Sequence, residues 1–393
     1  MTVQLEPTPD HVPLPAGFRA AGLHCGLKKN GALDLGLLLA DEPVGAGAIY
    51  TQNQLVGAHV TVCRDHLARS GGLVRAVLVN ARNANCATGE QGIADARHCC
   101  AQLAARVRCP VEQVLMLSTG PIGAPLPTER IVGHLDALLE HASIDGAMDF
   151  ARAIMTTDTY PKALHASGMT RTTGFAKGSG MIHPNMATML GFLLTDGAAT
   201  PGQSVPQLLR AVADRSFHRV TVDGDTSPND TLVLLASGRT RSADLEATVT
   251  RLAQRLARTI AADGEGATRL VTIEVRGARD EHEATLVGRT IATSPLVKTA
   301  VAGRDPNWGR ILSAAGRAGV AFPAERARVW VGPADVYSGG KPHPQNEPAA
   351  HRHLTDDTLV TLGVDLAVGT ASADVWTCDF TKDYVQINAD YRS

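Results

Sequence analysis

Leu245, Val249, Leu252, Leu256 and Ile260 recur at steps of 4, 3, 4 and 4, which puts five apolar side chains on one face of a single helix. This helix lies between two short apolar runs, Leu232–Leu235 and Leu270–Val275, that read as strands. The same alternation continues along the chain. Strands are expected at Leu37–Leu39, Ala76–Val79, Val114–Leu117, Met189–Leu194, Val220–Val222 and Tyr384–Ile387. Helices are expected at 90–107, where Ile93, Ala96, Cys100, Leu103, Ala104 and Val107 share a face, and at 127–142, 146–155, 203–216 and Trp308–Gly316. Interleaving of this kind excludes an all-helical or all-β chain and predicts an α/β fold of layered mixed sheets and helices. Residues 1–16 read as an irregular lead-in and 338–352 as a long exposed loop, with no internal repeat between them.

Composition narrows the partners. Of 393 residues, 44% are hydrophobic, enough for substantial cores, and the length alone suggests two to three domains. Lys+Arg 37 against Asp+Glu 39 gives a net charge of −2, so nothing draws the whole molecule to nucleic acid or an anionic membrane. No run approaches the roughly 18 apolar residues that span a bilayer. The prolines and acidic residues of MTVQLEPTPDHVPLPAGF do not suit a secretory peptide, so the cytoplasm is the expected compartment. The seven cysteines are odd in number and fit free thiols. His98-Cys99-Cys100 has no second ligand pair elsewhere, so these residues read as part of a helix and no metal is expected.

Only seven of the 37 basic residues are lysines. Lys162 in TTDTYPK, Lys177 in AKGSG and Lys298 in SPLVKTA therefore stand out, each among Ser, Thr, Gly or Pro. A compact ammonium suits an anionic group, although a lysine beside a turn reads equally well for Lys162 and Lys298. The densest segment is Lys177-Gly178-Ser179-Gly180-Met181-Ile182-His183-Pro184-Asn185-Met186-Ala187-Thr188-Met189-Leu190. It lacks the GxxxxGK[ST] order of a phosphate loop and only half matches a GxSxG nucleophile elbow. His183, beside a proline and without a paired aspartate, reads as a turn histidine.

Thr188 has two readings from its residues alone. One is a threonine that starts a buried strand. The other is a nucleophile, because a chain cut before a threonine frees an α-amine that serves as its base. That amine titrates near ~8 against ~10.4 for lysine, so at pH ~7.5 about a quarter of it is neutral. Ala187, small and set in a Gly/Pro-rich turn, suits a strained peptide bond there.

KGSGMIHPNMATMLGFLLTDGA resembles the self-cleavage segment of the ornithine acetyltransferases, the glutamate N-acetyltransferases of arginine biosynthesis. Further blocks resemble that family in the same order: 80–92 (NARNANCATGEQG), 117–123 (LSTGPIG), 155–162 (MTTDTYPK), 221–231 (TVDGDTSPNDT), 263–268 (DGEGAT), 294–310 (SPLVKTAVAGRDPNWGR) and 378–393 (CDFTKDYVQINADYRS).

The resemblance implies that the chain cuts itself between Ala187 and Thr188. The products would be an α chain, 1–187, with the oxyanion donors and part of the substrate site, and a β chain, 188–393, with the nucleophile and the rest. It implies ping-pong transfer without a cofactor: Thr188 takes the acetyl group of N-acetylornithine, ornithine leaves, and glutamate accepts the acetyl. Thr119 and Gly120 would stabilise the oxyanion. Thr156, Lys177, Thr188, Glu265, Asn388 and Ser393 would contact substrate, with Lys177 on the carboxylate and Glu265 on a cationic end. The cleaved chains are expected to pair as α2β2, a heterotetramer, or larger, and acetyl-CoA as a second donor stays open. Two departures stand out: Arg82, where many members carry a small Ser-Gly pair, and a shortened connection between Lys162 and Phe175. Two competing readings remain, a hydrolase of the N-terminal nucleophile type that passes the acyl group to water, and a two-layer binding protein.

Overall fold

The computed structural model describes residues 3–5, 9–183, 189–200 and 202–390. Ala187, Thr188 and Ser393 lie outside the described residues.

Two mixed sheets carry the fold. The first contains β1 (Phe18–Leu23), β2 (Leu35–Tyr50), β3 (Leu73–Asn80), β4 (Val114–Ser118), β5 (Lys162–Ser167), β6 (Arg171–Lys177), β7 (Leu190–Ala198) and β8 (Thr231–Arg241). Its order is β4-β3-β2-β8-β7-β6-β5, with β1 against β2. The β3–β4 and β7–β8 pairs are parallel and the remaining pairs antiparallel. The second sheet contains β9 (Leu270–Ala278), β10 (Arg328–Val331), β11 (Ala334–Ser338), β12 (Lys341–Pro342), β13 (Leu359–Asp365) and β14 (Ala371–Cys378), in the order β12-β11-β10-β13-β9-β14.

Alternation along β7 shows why helices cover both faces of the first sheet. Leu190, Phe192 and Leu194 join a core with Phe150 and Phe175, while Leu193 turns to Leu208, Leu252 and Leu256. The helix predicted from the 245–260 spacing is present as Leu245–Ala262, and all five spaced residues are buried. The helices Gly89–Val107, Ala147–Ala153, Val205–Asp214 and Trp308–Gly316 also lie where the sequence put them. Cys99 and Cys100 are buried on the first of these, and all seven cysteines are free thiols.

Four expectations need correction. Residues 127–142 form two short helices, Thr128–Gly133 and Leu135–Glu140, broken at His134. Val220 makes one isolated bridge, to Trp376, rather than starting a strand. Residues 338–352 are structured: Ser338 pairs with Lys341 across two left-handed glycines, and Glu347–Asp356 is a helix that buries Ala350 and Leu354. Tyr384–Ile387 is not a strand but part of the helix Lys382–Asp390. The Thr381 hydroxyl accepts from the Asp383 amide at the start of that helix, and Val385, two-thirds exposed, has no strand beside it. Among the described residues, no helix is long and apolar enough to cross a membrane.

Candidate active site

The cavity that gathers the sequence blocks lies at one end of the first sheet. It encloses about 120 Å³, and Thr119, Gly120, Thr156, Lys177, Glu265 and Asn388 all line it. These six come from five separate stretches of chain: the end of β4, the turn before β5, the end of β6, the loop before β9 and the last helix.

Thr119 and Gly120 follow β4 directly. The Thr119 amide donates to Asn80 O at 3.0 Å, and the Asn83 amide donates to Thr119 O at the same distance, so the main chain is pinned to the 80–85 loop. With its amide used, Thr119 presents its hydroxyl. Lys177 Nζ donates to that oxygen at 3.3 Å, which leaves the hydroxyl proton free to be donated into the cavity. The Gly120 amide has no partner among the described residues. Only glycine fits here: φ is +140°, and a Cβ would come within 2.5 Å of the backbone of Arg82 and Asn83. A free hydroxyl and a free amide on adjacent residues are two donors of the kind an oxyanion accepts.

Lys177 is buried, and burial pulls its ammonium below the ordinary lysine range, while Asp158 works in the opposite direction. The opposite wall carries negative charge. Glu265 is held by its amide, which donates to Ser179 O at 2.8 Å, and by Asn388, whose side-chain amide donates to Glu265 Oε2 at 2.9 Å. Gly180 makes room for this carboxylate, since a Cβ there would sit 2.3 Å from Glu265 Oε2. The cavity lining thus combines a cation, an anion and two free donors.

Reading the sequence did not single out Asn229, which also lines the cavity. Its amide donates to Ala84 O at 2.6 Å and Ser118 O at 2.8 Å, tying the 221–231 block to the Thr119 turn. Nor did it find Asp230, whose Oδ1 accepts from the amide of Met189, the residue after Thr188. Burial pushes this carboxyl well above its ordinary range. Both lie inside a quoted block, so the signal was present without an assigned role. Lys298 lines no part of the cavity; it donates to Thr377 Oγ1 at 2.8 Å and to the Cys378 carbonyl. His183 lines no part of the cavity; its Nδ1 lies 3.3 Å from Thr221 Oγ1. The departures are also accounted for: Arg82 has a left-handed φ of +68°, and β5 and β6 are joined by a tight turn with Ser167 opposite Arg171. Among the described residues, no three His, Cys, Asp or Glu side chains are grouped to hold a metal.

Known proteins resemble this chain along almost its whole length. The profile of the ArgJ family matches residues 19–393. The arginine biosynthesis bifunctional protein ArgJ of Parasynechococcus marenigrum (strain WH8102) is 44% identical over 386 residues, covering 96% of this chain and 94% of the relative. That of Prochlorococcus marinus (strain MIT 9313) is 45% identical over 400 residues, covering 97% and 93%. A solved chain of the arginine biosynthesis bifunctional protein argJ from Bacillus halodurans is 38% identical with a TM-score of 0.50, covering 52% of this chain and 100% of its own.

Proposed function

Because this chain belongs to the ArgJ family and is an acyltransferase of arginine biosynthesis, we propose that it carries the acetyl group of N-acetylornithine to glutamate through an acetyl-enzyme on Thr188. The observation that carries this reading is the cavity that Thr119, Gly120, Lys177 and Glu265 all line, with Lys177 Nζ bonded to the Thr119 hydroxyl. An acetyl carbonyl directed at the Thr119 hydroxyl and the Gly120 amide has its developing oxyanion held by both, and one such donor is worth roughly 3–4 kcal/mol. Lys177 stands beside the same donors and takes the substrate carboxylate. Glu265, steadied by Asn388, takes the cationic end, with Thr156 and Ser393 completing the contacts. Ornithine and glutamate share the α-carboxylate, so one pocket serves both half-reactions.

The nucleophile is freed by a cut between Ala187 and Thr188, which divides the chain into 1–187 and 188–393, with 187 + 206 = 393. The solved Bacillus halodurans chain supports this division: all of it is covered by 52% of this chain, and 206 of 393 residues is also 52%. The cut chains stay paired and associate further as α2β2 or larger.

Intact mass and an acetyl-transfer assay test the reading together. The purified protein is expected as two pieces that break before Thr188. Thr188→Ala is expected as one full-length chain with transfer lowered more than about 10³-fold. An active wild-type protein of full length would overturn the mechanism. Rapid acetate release independent of glutamate would assign hydrolysis instead, and acetyl-CoA as an alternative donor in the same assay separates bifunctional from single-donor activity.

A further inference from the structure

Lys162 lines no part of the cavity, yet it is the best-enclosed cation beside it. Its ammonium donates to Asp158 Oδ1 at 2.6 Å and to Asp263 Oδ2 at 2.5 Å, and all three side chains are fully buried. The other contacts of the two carboxylates lead to the cavity wall. Asp158 Oδ1 also accepts from the Gly178 amide at 2.6 Å, and its Oδ2 from the Thr156 amide at 3.0 Å. Asp263 accepts from the amide and hydroxyl of Thr159, two residues before the Glu265 that faces them. One carboxylate therefore binds the strand end that presents Lys177 to the turn that presents Thr156.

Buried ion arrays of this kind seldom stabilise a fold relative to well-packed apolar residues. Their effect here is local. Asp158 and Asp263 bring two negative charges and Lys162 one positive, so the array is one positive charge short of neutral, and Lys177 is the neighbouring cation that the Asp158 field reaches. Burial is the largest single influence and would lift the Asp158 carboxyl, but the charges of Lys162 and Lys177 together with the hydrogen bonds from the Gly178 amide and Lys162 hold it well below the usual carboxylate range.

We propose that Asp158, with Lys162 as the counter-charge that divides its field, is a positioning residue for Lys177: it fixes the ammonium at the cavity wall and keeps it charged there. The inference rests on Lys177 being the group that takes the substrate carboxylate. Asp158 and Glu265 favour the charge on Lys177 and Lys162 opposes it, while Asp230, whose carboxyl burial pushes toward the neutral form, favours it only when ionised. Lys28 interacts with the charges of both Asp158 and Lys177, so it is a second cation that opposes the charge on Lys177. The two members of the array therefore act with opposite sign. Removing the Asp158 charge lowers the pH at which Lys177 gives up its proton, and removing the Lys162 charge raises it.

Seven lysines make this readable by NMR of the purified, active protein labelled with 13C-lysine, with the Lys177 signal assigned by its loss in Lys177→Arg. The Lys177 titration is followed in wild type, Asp158→Asn, Lys162→Met and Lys162→Arg, and N-acetylornithine affinity is measured across the same pH range. The midpoint is expected to fall in Asp158→Asn, rise in Lys162→Met and stay near wild type in Lys162→Arg. Above the midpoint, affinity is expected to drop about tenfold per pH unit. Midpoints that stay put, or that move the same way in Asp158→Asn and Lys162→Met, would overturn the proposal, since a merely structural role gives no opposed shifts. If Lys162→Met does not fold, a fall in Asp158→Asn with none in Lys162→Arg supports it, and equal falls in both overturn it. Opposed shifts without any change in affinity would uphold the positioning role and overturn the assignment of Lys177 to the carboxylate.

Discussion

The two sheets bury very different things. The six-stranded sheet packs Val, Ala, Ile and Leu from β9, β13, β14 and the helix Glu281–Ala292 into an apolar core. Of the buried cations at its margin, Lys298 is met by a hydroxyl and a carbonyl and lies 4.5 Å from the centre of the Phe380 ring, and Arg269 pairs with the buried Asp379. The eight-stranded sheet encloses Asp158, Lys162, Lys177, Asp230, Asn80 and Thr119 at one end, cross-linked by charge-assisted hydrogen bonds. Buried polar groups cost free energy unless each is partnered, and the first sheet carries that cost where the cavity opens. The second sheet reaches the cavity only through its flanks: Glu265 lies five residues before β9, and Asn388 lies beyond β14. One layer holds the chemistry and the other holds the frame.

The sharpest way to break this contrast is Thr119→Val. It removes the free hydroxyl and keeps the shape, so turnover is expected to fall about 10²–10³-fold while the fold remains intact. Activity within twofold of wild type would remove Thr119 from the oxyanion pair. Ile291→Ala makes the opposite cut. Ile291 is fully enclosed in the apolar core, and its truncation is expected to cost about 3 kcal/mol in chemical denaturation, with turnover per folded molecule unchanged. A fall in turnover matching the stability loss would show that the frame also tunes the site.

His59 sharpens the comparison through pH. It is fully buried, with its ring against the Asn229 backbone, and burial pushes it down to about 4. A histidine whose folded value is depressed adds stability above its unfolded value near 6.5, and that stability is lost as pH falls toward 4. Wild type is therefore expected to lose about 3 kcal/mol more than His59→Gln between pH 6.5 and 4, measured by urea unfolding at each pH. Parallel curves would show that the ring is met by a partner. The smallest effect is expected at the exposed Ala367→Gly, beside the second sheet: relief of a left-handed φ of +55° and the added freedom of the unfolded chain nearly cancel, leaving a change below about 1 kcal/mol in thermal unfolding.

Much of the frame was legible where periodicity was long. The 4, 3, 4, 4 spacing located Leu245–Ala262, and the stripe from Ile93 to Val107 located Gly89–Val107. The helix Glu281–Ala292 could also have been read, since Ala284, Val287 and Ile291 share a face and Asp280 caps it through the Glu283 amide. Short runs misled. Tyr384, Val385 and Ile387 resemble a strand in isolation, and only the surrounding structure shows a helix with no buried residue. In the candidate site, Thr119, Gly120, Lys177, Glu265 and Asn388 were reached through blocks of residues rather than through periodicity. Lys162 and its two aspartates could not be read as an array, because Asp263 lies 101 residues away in sequence and only the fold brings it within 2.5 Å. Asn229 was missed for the same reason, as its bonds to Ala84 O and Ser118 O span more than a hundred residues.

β7 has a neighbour on each side, β6 antiparallel and β8 parallel, and it begins two residues after Thr188. In a chain cut before Thr188, β6 ends one polypeptide and β7 opens the other, so six facing residue pairs run across the break. The cut that frees the nucleophile would leave the folded sheet in place, but the unfolded protein would not be indifferent to it. Before the cut, recovery from denaturant is a first-order process. After it, two polypeptides must find one another, and the rate of recovery rises with protein concentration. Cleavage would thus be a one-way step in the history of the molecule, harmless while the sheet holds and decisive once it has opened.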